Sequence, residues 1–201
     1  MVKVKICGLR TPETIQAAID GGAHYIGFVL AENSVRHIAK PELVKLMKGM
    51  DFSRVQRVGV FVNPDLKLVR DCFAENLIDI AQLHGDETPE FSALFPKEKI
   101  WKRVRSREEA ESFPVGAWLI DHSQPGSGQT GDWNLARELV KDYPEQKIFL
   151  AGGIDIHNAE EAIRKVAPYG LDLSSSVEET RGVKSTEKIK QFLQFLQRIP
   201  S

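Results

Sequence analysis

Strand-like and helix-like segments alternate eight times along 201 residues, the connections between them are mostly short, and several strands are nearly continuous apolar runs. These observations predict an α/β chain whose parallel sheet closes into a (β/α)8 TIM barrel, a single domain over residues 1–201. A doubly wound open sheet is built from the same units, and the count of eight favours closure.

The first strand is carried by Val2, Val4 and Ile6 and ends at Cys7 and Gly8. Thr11 and Pro12 then open an amphipathic helix through Ile15, Ala18 and Ile19, which Gly21 and Gly22 close. Residues 24–30 form a strand apolar enough to be buried on both faces. A loop to Pro41 leads to a helix through Leu43, Leu46 and Met47, then to a strand over 55–62 and a helix from about Pro64 through Phe73. Strands follow at 78–83, 99–104 and 117–121, the first two trailed by helices at 89–95 and 107–111. Beyond a glycine-rich loop come a helix at 134–143, a strand at 147–151, a helix at 158–166, a strand at 170–173 and a last helix at 185–197.

Lys and Arg total 27 against 28 Asp and Glu, a formal charge of -1, so no global basic field is present to draw in nucleic acid or an anionic membrane. With 42% hydrophobic and 27% charged residues the chain is expected to bury its own core. Two cysteines, Cys7 and Cys72, are too few for a disulfide framework and lack zinc-ligand spacing, which fits a cytoplasmic protein without metal. No apolar run is long enough to span a membrane, and the start does not read as an export signal.

In a barrel of this kind chemistry sits at the C-terminal ends of the strands, which keeps a short list of polar residues. Gly152 and Gly153 after the seventh strand, with Ser174, Ser175 and Ser176 after the eighth, offer backbone and hydroxyl donors to a phosphate; read singly, they are a tight turn and a helix cap. Cys7 is placed at a rim where neighbouring cations would ionise a thiol for work as base or nucleophile, against the blander reading of a small buried hydrophobe. Asp121 closes an apolar strand where partial desolvation would favour proton donation, or caps the loop that follows. Arg36 suits a carboxylate or is a surface residue, and His84 titrates or only hydrogen-bonds. The 125–131 loop, with Gly128 within it, reads as a ligand-closing lid without the spacing of a Walker loop.

Six motifs in order over nearly the whole chain carry a specific resemblance: Lys5-Ile6-Cys7-Gly8, Gly27-Phe28-Val29, Val58-Gly59-Val60-Phe61, Gln82-Leu83-His84-Gly85, Leu150-Ala151-Gly152-Gly153-Ile154 and Gly182-Val183-Lys184. In these the chain resembles the phosphoribosylanthranilate isomerases of tryptophan biosynthesis. The resemblance implies a cofactor-free, metal-free barrel that converts N-(5′-phosphoribosyl)anthranilate to 1-(2-carboxyphenylamino)-1-deoxyribulose 5-phosphate by an Amadori rearrangement, the third step from chorismate. It further implies Cys7 as general base, Asp121 as general acid, Arg36 on the anthranilate carboxylate, and Gly152, Gly153, Ser174 and Ser175 on the phosphate. The partner expected is a small phosphosugar, and family members occur as monomer or homodimer.

Three positions depart from the family pattern: Val35 and Arg181 replace prolines, and Ser176 replaces a glycine. Altered affinity is expected from them before any loss of chemistry. Two other readings share the phosphate-binding barrel: a dual-substrate isomerase that also serves histidine biosynthesis, and a catalytically silent phosphosugar-binding barrel. Related synthases and epimerases need catalytic lysines or metal-binding His/Asp pairs at strand ends, and neither set is found.

Overall fold

The computed structural model describes residues 2–121 and 133–199. Eight parallel strands, β1 (Lys3–Cys7), β2 (Tyr25–Val29), β3 (Gln56–Phe61), β4 (Ile80–Leu83), β5 (Ile100–Val104), β6 (Ala117–Asp121), β7 (Lys147–Ala151) and β8 (Gly170–Leu173), pair in chain order, and β8 returns to β1 to close the barrel. Helices α1 (Pro12–Asp20), α2 (Lys40–Met47), α3 (Leu66–Ala74), α4 (Pro89–Ser92), α5 (Arg107–Ser112), α6 (Asn134–Asp142), α7 (Ala159–Val166) and α8 (Thr186–Gln197) alternate with the strands. Among the described residues no helix is long and apolar enough to cross a membrane.

The pleat sorts the strand residues into two layers. Val4, Ile6, Ile26, Phe28, Ala81, Leu83, Trp118 and Ile120 face outward into the layer shared with the helices. Tyr25, Val58, Ile80, Trp101, Ala117, Leu119, Phe149 and Ala151 fill the barrel itself. Three of those rings interlock, Tyr25 with Trp101 at 4.8 Å, Trp101 with Phe149 at 4.4 Å and Tyr25 with Phe149 at 5.5 Å between centroids. This aromatic plug makes the interior a packed core rather than a channel.

Local chemistry sets the helix starts as expected. The Thr11 hydroxyl accepts from the Thr14 N–H at the head of α1 with Pro12 in the first turn, and the Ser185 hydroxyl accepts from the Lys188 N–H at the head of α8. Two segments differ from the sequence expectation. The helix expected over 89–95 is one turn, α4, because Pro96 disfavours helical backbone at Phe95; the chain leaves through looser bonds from Leu94 to Phe91 and from Phe95 to Ser92. The unforeseen element is a small antiparallel hairpin between β8 and α8, formed by β9 (Glu178–Thr180) and β10 (Val183–Lys184), with Gly182 at φ +86° in the turn.

Candidate active site

The inward positions at the C-terminal strand ends enclose a cavity of about 290 Å3. Its walls bring together Cys7 from β1, Arg36 after β2, His84 after β4, Asp121 ending β6, Gly152 and Gly153 after β7, and Ser174 and Ser175 after β8. Gly128 and the 125–131 loop lie outside the described residues.

Ser176 does not join them. The turn at Ser175–Val177 is a 3-10 helix, in which neighbours point about 120° apart, so Ser176 faces away from the mouth. It lines a separate depression with Asp155, Ile156, His157 and residues of α8, and its hydroxyl is buried without a hydrogen-bond partner among the described residues. The Ser176 side chain thus lies apart from those of Ser174 and Ser175.

The two ends of the cavity differ in chemistry. At one end Gly152 and Gly153 adopt φ of +80° and +69°, and among the described residues nothing lies within 4 Å of where a Gly153 side chain would start. The Gly153 carbonyl accepts from the Asn158 amide at 2.8 Å, which fixes the loop. Open left-handed backbone beside Ser174 and Ser175 leaves room for anionic oxygen. At the other end Arg36 points its guanidinium at Glu178, with Nε and Nη2 donating at 2.6 and 2.9 Å. Glu178 also accepts from Lys184 Nζ at 2.7 Å and from the Gly182 N–H at 3.1 Å. Burial works to raise this carboxyl, but these donors outweigh it and bring it down to about 2. Lys184 reaches back to the Ser174 carbonyl and hydroxyl, at 3.0 and 3.2 Å, so the hairpin ties both ends of the cavity together.

Between the ends sit the titratable groups. Burial pushes the Cys7 thiol above its ordinary value, with Lys5 and Lys184 opposing and Asp172 adding to the rise. Desolvation thus opposes the ionisation that the neighbouring lysines favour. Across the mouth His84 Nε2 lies 3.4 Å from Asp121 Oδ2, and Gln82 Nε2 lies 3.3 Å from His84 Nδ1. His84 therefore stands between the Gln82 amide and the Asp121 carboxyl, one ring nitrogen facing each.

The sequence reading passed over Lys5, Gln82, Asp172, Glu178 and Lys184. The first three carried a signal: each is polar, stands at an inward position of an otherwise apolar strand, and is buried. Among the described residues no cluster of His, Cys, Asp and Glu is arranged to hold a metal ion.

Residues 4–195 match the family model described as N-(5′-phosphoribosyl)anthranilate (PRA) isomerase. The chain is 37% identical to the N-(5′-phosphoribosyl)anthranilate isomerase of Pelobacter propionicus, over 96% of this chain and 94% of that one. It superposes on the crystal structure of phosphoribosylanthranilate isomerase from Thermus thermophilus with a TM-score of 0.86, at 35% identity and with 99% and 100% of the two chains covered. A phosphoribosylanthranilate isomerase crystallised with reduced 1-(o-carboxyphenylamino)-1-deoxyribulose 5-phosphate is similar over 98% of this chain and 99% of its own, with a TM-score of 0.80 and 29% identity.

Proposed function

The chain belongs to the N-(5′-phosphoribosyl)anthranilate isomerase family, an aldose–ketose isomerase of tryptophan biosynthesis, and on that premise we propose that Cys7 is its general base and Asp121 its general acid. The observation that supports the assignment is that both line one cavity, together with Arg36 and with Gly152, Gly153, Ser174 and Ser175. Gly152, Gly153, Ser174 and Ser175 hold the phosphate, and Arg36 holds the anthranilate carboxylate.

Protonated Asp121 gives its proton to the ribose ring oxygen as the bond from that oxygen to C1′ breaks. The anilino nitrogen lone pair forms the C=N bond of a Schiff base. Cys7 as thiolate then removes the proton from C2′; those electrons form C1′=C2′, and the C=N electron pair returns to nitrogen. The resulting enol loses its hydroxyl proton and gains one at C1′, which gives the ketose with no net change in composition. Each step moves a proton together with electron pairs inside the substrate and none changes its overall oxidation state, so the reading requires no cofactor or metal. His84, whose Nε2 lies 3.4 Å from Asp121 Oδ2, orients the acid. The substrate is a small phosphosugar, and both cysteines are free thiols, which suits the cytoplasm.

A steady-state isomerase assay on the parent, Cys7→Ser and Asp121→Asn tests this reading. The parent turns over, and each variant loses roughly 100-fold or more in kcat, the usual contribution of a positioned acid or base. A variant that keeps its rate within about tenfold removes that residue from its role. Binding without turnover in the parent supports a silent barrel instead.

A further inference from the structure

Beside Cys7 lies a charge pair that the acid–base assignment leaves unused. Lys5 and Asp172 are partners in the register of β1 and β8, and Lys5 Nζ donates to both carboxylate oxygens at 2.9 and 2.8 Å. Lys5 is 0% exposed and Asp172 8%. Apolar side chains of similar volume often replace such a pair at no loss of stability, so folding alone gives little reason for it here. Cys7 follows Lys5 by two residues and shares its inward face. Gly27, in register with Cys7 on β2, shows how close the two are: a side chain begun there would meet Cys7 Sγ at 2.9 Å and Lys5 Cε at 3.2 Å. The sulfur and the end of the lysine stem press on one space that only glycine leaves open. Asp172 lines the same cavity as Cys7.

We propose that Lys5 is a positioning residue for the isomerase reaction, its buried ammonium serving as counter-ion to the Cys7 thiolate, while Asp172 limits how much of that charge reaches the sulfur. This rests on the reading of Cys7 as the base. Ionising a buried thiol is opposed by desolvation, and a cation held in the same water-poor layer counters it without the solvent screening that weakens surface charges. Other charged and titratable groups face the thiol as well. Lys184 from β10 and Arg36 after β2 both approach Gly8, and His84 and Asp121 stand across the cavity. Lys184 and Arg36 share the carboxylate of Glu178. Among the groups acting on the thiol, Lys5 is the largest that favours its ionisation, and Asp172 opposes it.

The test follows the rate at which iodoacetamide alkylates Cys7 from neutral to strongly alkaline pH, read on the Cys7 peptide by mass spectrometry, beside the pH profile of kcat/KM. Lys5→Met is expected to raise the alkylation midpoint by about one pH unit, a roughly tenfold slower reaction at neutral pH. Lys5→Arg restores the midpoint, and Asp172→Asn lowers it. The limb of kcat/KM that reports the thiolate moves with the midpoint in each variant. Where Lys5→Met fails to fold because Asp172 is left buried and unpaired, Lys5→Met/Asp172→Asn carries the same upward expectation relative to Asp172→Asn alone. An unmoved midpoint in a folded Lys5→Met, or in the double variant relative to Asp172→Asn, overturns the proposal and leaves Cys7 as the base. A midpoint that moves while kcat/KM stays in place sinks the base assignment, and the positioning role with it.

Discussion

Glu178→Gln removes one charge from the hairpin and keeps the shape of the side chain. In the parent this carboxyl titrates at about 2, against an ordinary 4.5, even though burial alone would raise it. Two guanidinium bonds from Arg36, one from Lys184 and one from the Gly182 N–H account for the difference. A depression of that size is worth about 3 kcal/mol of folding stability at neutral pH. The Glu178 side chain is only 4% exposed, so solvent screening takes little of it. Because the folded value lies below the unfolded one, the stabilisation is complete above the unfolded value and fades as pH falls from about 4.5 towards 2. Urea unfolding followed by tryptophan fluorescence, at a series of pH values between about 7 and 3, measures it. At neutral pH the variant is expected to be about 3 kcal/mol less stable than the parent. The gap narrows with acid by up to about 1.4 kcal/mol per pH unit, the limit for one proton. Parallel stability curves for the two proteins would refute the claim that Glu178 is held ionised by its partners.

Gly27→Ala places a methyl 2.9 Å from Cys7 Sγ and 3.1 Å from the Cys7 Cα, and backbone cannot give way. A loss of about 1–3 kcal/mol in unfolding free energy and at least tenfold in kcat/KM is expected; parent-like values in both would show that the close approach is unimportant. Gly153→Ala meets no neighbour among the described residues, yet its φ of +69° strains an L residue by roughly 1 kcal/mol. A rise in KM with kcat nearly unchanged is expected, and an unchanged KM would remove this loop from phosphate binding. Ser176→Ala deletes a buried hydroxyl that has no partner among the described residues, so KM stays as in the parent and the melting temperature is equal or higher. A tenfold higher KM in that variant would return Ser176 to the phosphate site.

The strands and their order were legible because each apolar run is bounded by turn residues and followed by a helical pattern. The barrel positions of Cys7, Asp121, Gly152 and Ser174 follow from that order, since strand ends converge on one mouth. The hairpin was not legible. Two strands of three and two residues carry no readable period, and Glu178 reads as one acidic side chain among several until Arg36 and Lys184 are seen to converge on it. The Cys7 environment escaped for a related reason. Sequence gives the charge of Lys5 but not its distance from the sulfur or the depth of both, and depth decides that burial outweighs the cation. The Ser174-Ser175-Ser176 run misled because a tight turn sends adjacent residues in different directions, which spacing alone does not reveal.

Buried charge recurs at the loops and strand ends around the cavity, and each pair ties one of them to a neighbouring element. Lys102 on the outer face of β5 pairs with Glu87 at 2.7 Å, with side chains 0% and 2% exposed. Lys102 also donates to the Gly85 carbonyl, and Glu87 accepts from the N–H groups of Asn63 and Gly85. Those bonds brace the turn that begins at His84. Glu178 does the same for the loop after β2 through Arg36, and for the end of β8 through Lys184. Lys5 and Asp172 join β1 to β8 beside Cys7. Breaking any one of these pairs strands a charge in the interior, so each loop has one low-energy arrangement rather than several. Free energy that apolar packing would have supplied as stability is thereby spent on holding the elements that carry Cys7, Arg36, His84 and Ser174 in place before substrate arrives, where misplacement by an ångström is expensive in rate.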